Sequence, residues 1–200
     1  MIIFGYQGIG KSTLANSPSG ESYIDLESSM FRTPMHPERS EDWFQAYGNL
    51  VCGLNKMGRN VFSACHQQIR DYIASEKDLN GVIAVICYPS IELREEWLHR
   101  LRQRWIDTKF PKDKAALDYA EASYSSSIKA LDRDTNYDHL ILNNMDYDLQ
   151  AILYNYYKYK CYEMNNKSEE TPPLLSINQS IISNAGAILV RKGDHKNDSN

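Results

Sequence analysis

Long apolar runs are missing from this chain of 200 residues. No stretch approaches the about 18 residues that a membrane-spanning helix needs, so no such helix is expected. A basic excess is missing too. Lys and Arg number 22 against 26 Asp and Glu, a net charge of −4. Neutralising a nucleic-acid backbone or an anionic lipid surface takes surplus positive charge, so neither partner is expected. The four cysteines (Cys52, Cys65, Cys87 and Cys161) show no C-x-x-C spacing, which points away from a zinc site or a disulfide framework. Three of them lie in apolar periodic stretches and read as reduced, packed thiols. No internal repeat is present. A secretory signal is not expected, because a strand pattern begins at Met1 and a glycine loop follows at once. These absences leave a cytoplasmic protein as the expectation. Its hydrophobic content of 42% is enough to build one domain, with or without an appendage.

What is present starts at the first residues. Gly5-Tyr6-Gln7-Gly8-Ile9-Gly10-Lys11-Ser12 fits G-x-x-x-x-G-K-[ST], the pattern of a phosphate-binding loop. Its context fits as well: Met1 to Phe4 is a short apolar run that predicts a buried strand, and Ser12 to Asn16 can open a helix. Glycines let backbone N–H groups turn inward around phosphate oxygens, and a helix N-terminus adds partial positive charge. In this pattern Gly5, Gly8, Ile9, Gly10 and Thr13 line the phosphates, Lys11 reaches the β- and γ-phosphates, and the Ser12 hydroxyl sits on Mg²⁺. The motif therefore predicts a bound nucleoside triphosphate, ATP or GTP, with Mg²⁺.

Strand and helix signals alternate after the loop. Strands are predicted at residues 23–26, 60–65, 82–87 and 137–142, and helices at residues 41–57, 67–75, 91–106, 112–131 and 146–159. Val82 to Cys87 is a continuous run dominated by β-branched residues, as expected where both sheet faces are covered. Pro89 and Ser90 should end that strand, with Ser90 free to cap the next helix. Five strands separated by helices predict a parallel α/β sheet with right-handed crossovers. Residues 28–40, rich in Pro, Ser and charge, read as a loop. Beyond Glu163 the composition changes. Asn165 to Pro173 reads as a linker, Ile181-Ile182 and Ala187 to Val190 can add a strand or hairpin, and Lys192 to Asn200 reads as disordered. The expected organisation is one domain over residues 1–162 and a polar tail over residues 163–200.

Ligands of such sheets bind at the carboxyl ends of the strands. That rule selects Asp25 and Glu27, His66 with Arg70 one helical turn on, and Tyr88-Pro89-Ser90. Asp25 either holds Mg²⁺ or an acceptor hydroxyl, or serves as a loop or capping carboxylate. His66 is either a ligand group or a structural imidazole. Arg70 either grips an acceptor phosphate or lies on a solvated face. Arg100 and Arg104 share one helix face at spacing i, i+4 and either stabilise charge on a transferring phosphoryl group or pair with neighbouring glutamates. Trp97, Leu101 and Trp105 read as core. The tyrosines from Tyr154 to Tyr162 read as a packing surface.

Taken together, these residues resemble the P-loop nucleoside monophosphate kinase group. The signs are the phosphate loop at the N-terminus, the acid ending the second strand, Tyr88-Pro89-Ser90, and Arg100-Leu101-Arg102-Gln103-Arg104 where that group carries its lid arginines. Residues 63–70 look like small phage-type adenylate-kinase-like proteins. The resemblance covers about Met1 to Tyr154. It implies a three-layer α/β/α P-loop NTPase fold with a five-stranded parallel sheet ordered 2-3-1-4-5, and a lid-like segment around residues 100–115. It also implies an ATP and Mg²⁺ requirement, and phosphoryl transfer to a nucleotide or nucleoside by a monomer or homodimer. Lys11, Asp25, Arg100 and Arg104 would be catalytic; Asp25, Glu27, His66 and Arg70 would face the acceptor; Ser12 and Asp25 would hold the metal. Two features depart from that pattern. No strand ends in an apolar run plus Asp, since the third ends in Cys65-His66. Lys11 and Asp25 are only 14 positions apart, so the first helix is short. Both features fit the alternative of an NTP-binding module or slow, recombinase-like phage ATPase serving an assembly.

Overall fold

The computed structural model describes residues 1–20, 22–31, 39–75, 81–166 and 182–192. Its architecture is mixed α/β, with one six-stranded, mostly parallel sheet in the order β2-β3-β1-β4-β5-β6. The strands are β1 (Ile2–Gly5), β2 (Tyr23–Asp25), β3 (Asn60–Ala64), β4 (Ala84–Pro89), β5 (Asp138–Leu142) and β6 (Ala187–Val190). The helices are α1 (Lys11–Ala15), α2 (Trp43–Lys56), α3 (Gln67–Ser75), α4 (Arg94–Thr108), α5 (Pro111–Asp132) and α6 (Leu149–Asn165). The chain forms two compact units. The first holds residues 1–6 and 11–86, the second residues 7–10 and 87–200.

In the first unit, β3 pairs in parallel with β1, Ile2 opposite Val61 through Gly5 opposite Ala64, and with β2, Tyr23 opposite Asn60 through Asp25 opposite Phe62. Ile2, Ile3, Phe4, Val61 and Phe62 are all fully buried. That is the signature of strands covered on both faces, and it explains why β1 reads as an unbroken apolar run. The first helix stops after five residues for a visible reason. The Ser17 hydroxyl donates to the Leu14 carbonyl at 2.8 Å, and Pro18 follows. Gly20 then closes over that end. A Cβ at Gly20 would lie 1.8 Å from the Leu14 oxygen, so no side chain fits there.

In the second unit, β5 and β6 pair antiparallel, His139 opposite Val190 through Leu142 opposite Ala187. The sequence predicts five parallel strands; the described residues form six, the last antiparallel. Ala187 to Val190, assigned to the tail, thus belong to the sheet. Lys192 N–H donates to Asp138 at 2.7 Å and fastens the end of β6. The strand predicted at residues 82–87 runs instead over Ala84–Pro89. Tyr88 is therefore a fully buried strand residue rather than part of a crevice. Its hydroxyl donates to Asp132 at 2.6 Å and lies 2.9 Å from His139 Nδ1. Ser90 makes no side-chain cap. The helix predicted from residue 146 starts at Leu149, capped by the Asp148 carboxylate, which accepts from Ala151 N–H at 3.0 Å. Residues 32–38 of the expected loop, residues 167–173 of the expected linker, Ile181 and the end from residue 193 lie outside the described residues.

Candidate functional site

Within the first unit the site begins where β1 ends. Lys11, the first residue of α1, folds back so that Nζ donates to the carbonyls of Gly5 at 2.9 Å and Tyr6 at 3.1 Å. An ammonium group has three donors, so two hold it in place and one is left for an anion. The next residue, Ser12, donates its hydroxyl to Asp25 Oδ2 at 2.5 Å. Asp25 Oδ1 is buried and has no hydrogen-bond partner. Leaving a carboxylate oxygen dry and unpaired costs about 1–3 kcal/mol or more. A hydroxyl and a carboxylate held together, with one oxygen lacking a donor, are a donor set suited to a hard cation. The residues present therefore fit Mg²⁺, and Ser12 and Asp25 are the ones that would hold it. Among the described residues no three His, Cys, Asp or Glu side chains cluster for a metal. Such an ion would take its remaining oxygens from phosphate and water.

Asp25 is fixed by its strand and by Tyr47 of α2. The Tyr47 hydroxyl donates to the Leu26 carbonyl at 2.6 Å and accepts from Ala64 N–H at 3.0 Å, joining the carboxyl ends of β2 and β3. Burial pushes the Tyr47 phenol up to about 12, and the Asp25 and Glu27 carboxylates push the same way. Just past β3, His66 is exposed, with its ring edge-on to Trp43 at 5.4 Å and Nε2 3.5 Å from Ser28 Oγ. Arg39 donates to Ser28 Oγ at 2.9 Å and lies 4.0 Å above the Trp43 ring. Arg39 had no motif to announce it. Glu27 and Thr13 are exposed. Arg70 is only 3% exposed, and its guanidinium donates to the Cys65 carbonyl, tying the turn between β3 and α3.

The apex of the loop belongs to the second unit. Gly8 and Gly10 have φ of +88° and +91°, a left-handed backbone that glycine adopts without strain. Trp97 Nε1 donates to the Gln7 carbonyl at 3.0 Å, and Gln7 Nε2 donates to the Ala116 carbonyl at 2.9 Å. A Cβ at Gly8 would meet Leu101 at 3.0 Å and Trp97 at 3.1 Å, so α4 presses directly on the loop. Ile9 is fully buried and anchors the apex.

Arg100 lies 5.1 Å from both the Trp97 and Tyr147 rings. It donates to the Tyr147 hydroxyl at 2.6 Å and the Met145 carbonyl at 2.8 Å. Burial pushes the Tyr147 phenol up to about 12, with the Arg100 charge opposing. Arg104 forms a 2.8 Å ion pair with Asp113, whose side chain is 5% exposed. Both arginines are thus engaged within their own unit.

In the sequence Trp97 reads only as core. The missed signal was chemical: an indole N–H that is buried must find an acceptor, and here the acceptor is a loop carbonyl. No family model, curated protein or solved structure matches this chain.

Proposed function

We propose that the chain has a P-loop nucleotide-kinase-like fold, binds ATP or GTP with Mg²⁺ at residues 5–13, and transfers the terminal phosphoryl group to a nucleotide or nucleoside. The observation that carries the reading is the pairing of Ser12 with Asp25, with one Asp25 oxygen buried and unpaired, directly after a lysine held by two loop carbonyls. Mg²⁺ bound there would offset charge on the phosphates. Lys11 offers its remaining donor to the terminal phosphates, and Gly8, Ile9 and Gly10 offer backbone amides. An acceptor oxygen forms the new P–O bond, and the electrons of the broken bridging bond stay on the diphosphate. A hydroxyl acceptor gives its proton to Asp25 or water, and a phosphate acceptor needs no base. Such chemistry rests on positioning and charge neutralisation, which these groups can supply. Ser28, Arg39 and His66 are the polar side chains gathered past the ends of β2 and β3 that suit an acceptor.

One observation favours a second reading. Arg100 and Arg104 are bound to Tyr147, Met145 and Asp113 rather than open to a substrate. An NTP-binding module or slow ATPase needs neither arginine. A panel of nucleoside mono- and diphosphates with ATP and Mg²⁺ separates the two. A kinase releases ADP in proportion to one acceptor and yields its phosphorylated product. Turnover independent of every acceptor would overturn the transfer reading and leave the ATPase.

A further inference from the structure

We propose that Trp97 is a positioning residue for anion binding, acting through the peptide between Gln7 and Gly8; the inference rests on reading residues 5–12 as a phosphate loop. A trans peptide is planar, and its C=O and N–H point to opposite sides. Trp97 Nε1 holds the Gln7 carbonyl at 3.0 Å, on the side facing α4. The N–H of Gly8 is thereby directed to the opposite side, away from α4. In a loop that cradles phosphate, that N–H is one of the donors, and a donor fixed before binding costs no reorganisation when the anion arrives.

Three features keep this peptide from flipping. Trp97 is fully buried and stacked on Tyr147, at 6.2 Å between centroids and 17° between planes, so its indole cannot turn away. A flip would strand that indole N–H in the core without an acceptor. The Gln7 side chain is held separately by the Ala116 carbonyl at 2.9 Å, so both ends of the residue are tied to this unit. Gly8 also lies tight against α4 in a left-handed backbone that favours glycine, and an added Cβ would sit 3.0 Å from Leu101 and 3.1 Å from the indole. The α4 helix therefore serves the loop as a template, with one donor at a single position.

Trp97→Phe keeps an aromatic ring in the stack and removes the donor. Pyrophosphate and Mg·ATP binding to the full chain would be measured by calorimetry. In parallel, amide spectra of protein labelled with ¹⁵N-glycine and ¹⁵N-tryptophan would be recorded. In the wild type, pyrophosphate is expected to shift both the Gly8 amide and the Trp97 indole N–H signals. In Trp97→Phe, affinity should fall roughly three- to tenfold, the worth of one hydrogen bond. The Gly8 shift should shrink while the other loop glycines still respond. A merely structural tryptophan would lower stability and leave the Gly8 response intact, so an unchanged Gly8 shift and affinity in Trp97→Phe overturn the proposal. Failure of the wild type to bind pyrophosphate and ATP overturns the phosphate-loop reading itself and this inference with it.

Discussion

Asp25 carries the sharpest tension between stability and function in the molecule. One of its oxygens accepts from Ser12 at 2.5 Å, and the other is buried without a donor. A buried oxygen without a donor lowers the stability of the fold, and Asn in its place would remove a carboxylate with an unpaired buried oxygen. Asp25→Asn should therefore leave the ligand-free protein as stable as the wild type or more so, in a urea titration. It should weaken binding of Mg·ATP by roughly tenfold, because a charged ligand group is lost. ATP binding without Mg²⁺ should barely change. Equal loss with and without Mg²⁺ would assign Asp25 to the nucleotide rather than the metal. At this scale the sequence was informative where the chemistry is local. The loop and Ser12 follow from the motif, and Asp25 from its place at a strand end. Trp97 and Arg39 did not stand out, since Trp97 meets Gln7 across 90 residues of chain and Arg39 meets Ser28 from a stretch of sequence without a motif.

Among the elements, α2 does more than cover the sheet. Through Tyr47 it clasps the ends of β2 and β3 with two hydrogen bonds made by one hydroxyl. The Tyr47 phenol is raised from 10.0 to about 12 by burial first. Below pH 10 this contribution to stability is complete. Between pH 10 and 12 the unfolded chain gives up the proton while the folded chain keeps it, so stability falls as pH rises through that window. A rise of that size corresponds to on the order of 3 kcal/mol. Tyr47→Phe should cost about 1–3 kcal/mol at pH 7, because Ala64 N–H loses its acceptor. It should also flatten the decline measured by urea unfolding between pH 9.5 and 11.5. The flattening will be partial, because Tyr147 is raised to about 12 as well. A decline as steep as in the wild type would remove Tyr47 from the alkaline transition. The helices α2 and α4 were legible from their periodic apolar faces. The start of α6 and the placement of β4 shifted by two or three residues. Both depend on which residue the tertiary structure caps or buries rather than on local pattern.

For the whole molecule, alternation of strand and helix was enough to anticipate a mostly parallel α/β sheet, whereas the order of its first five strands was implied only by the resemblance. The sixth was open, because a run as short as Ala187–Val190 carries no information about direction; pairing with β5 and the bond from Lys192 to Asp138 decide it. The two arginines expected to act on phosphate were visible in sequence, but their engagement with Tyr147, Met145 and Asp113 was not, since each partner pairing is a tertiary contact. The sequence of the loop promised an anion site. Its lysine, serine and apex each have a defined support in the fold. The most direct measurement is calorimetric titration of wild type and Lys11→Ala with ATP and GTP in the presence of Mg²⁺. Saturable one-to-one binding of at least one triphosphate by the wild type, weakened roughly tenfold or more in Lys11→Ala, is the expected result, because the variant loses a charge-assisted contact. No binding to the wild type at millimolar nucleotide, or equal binding by both proteins, would contradict it.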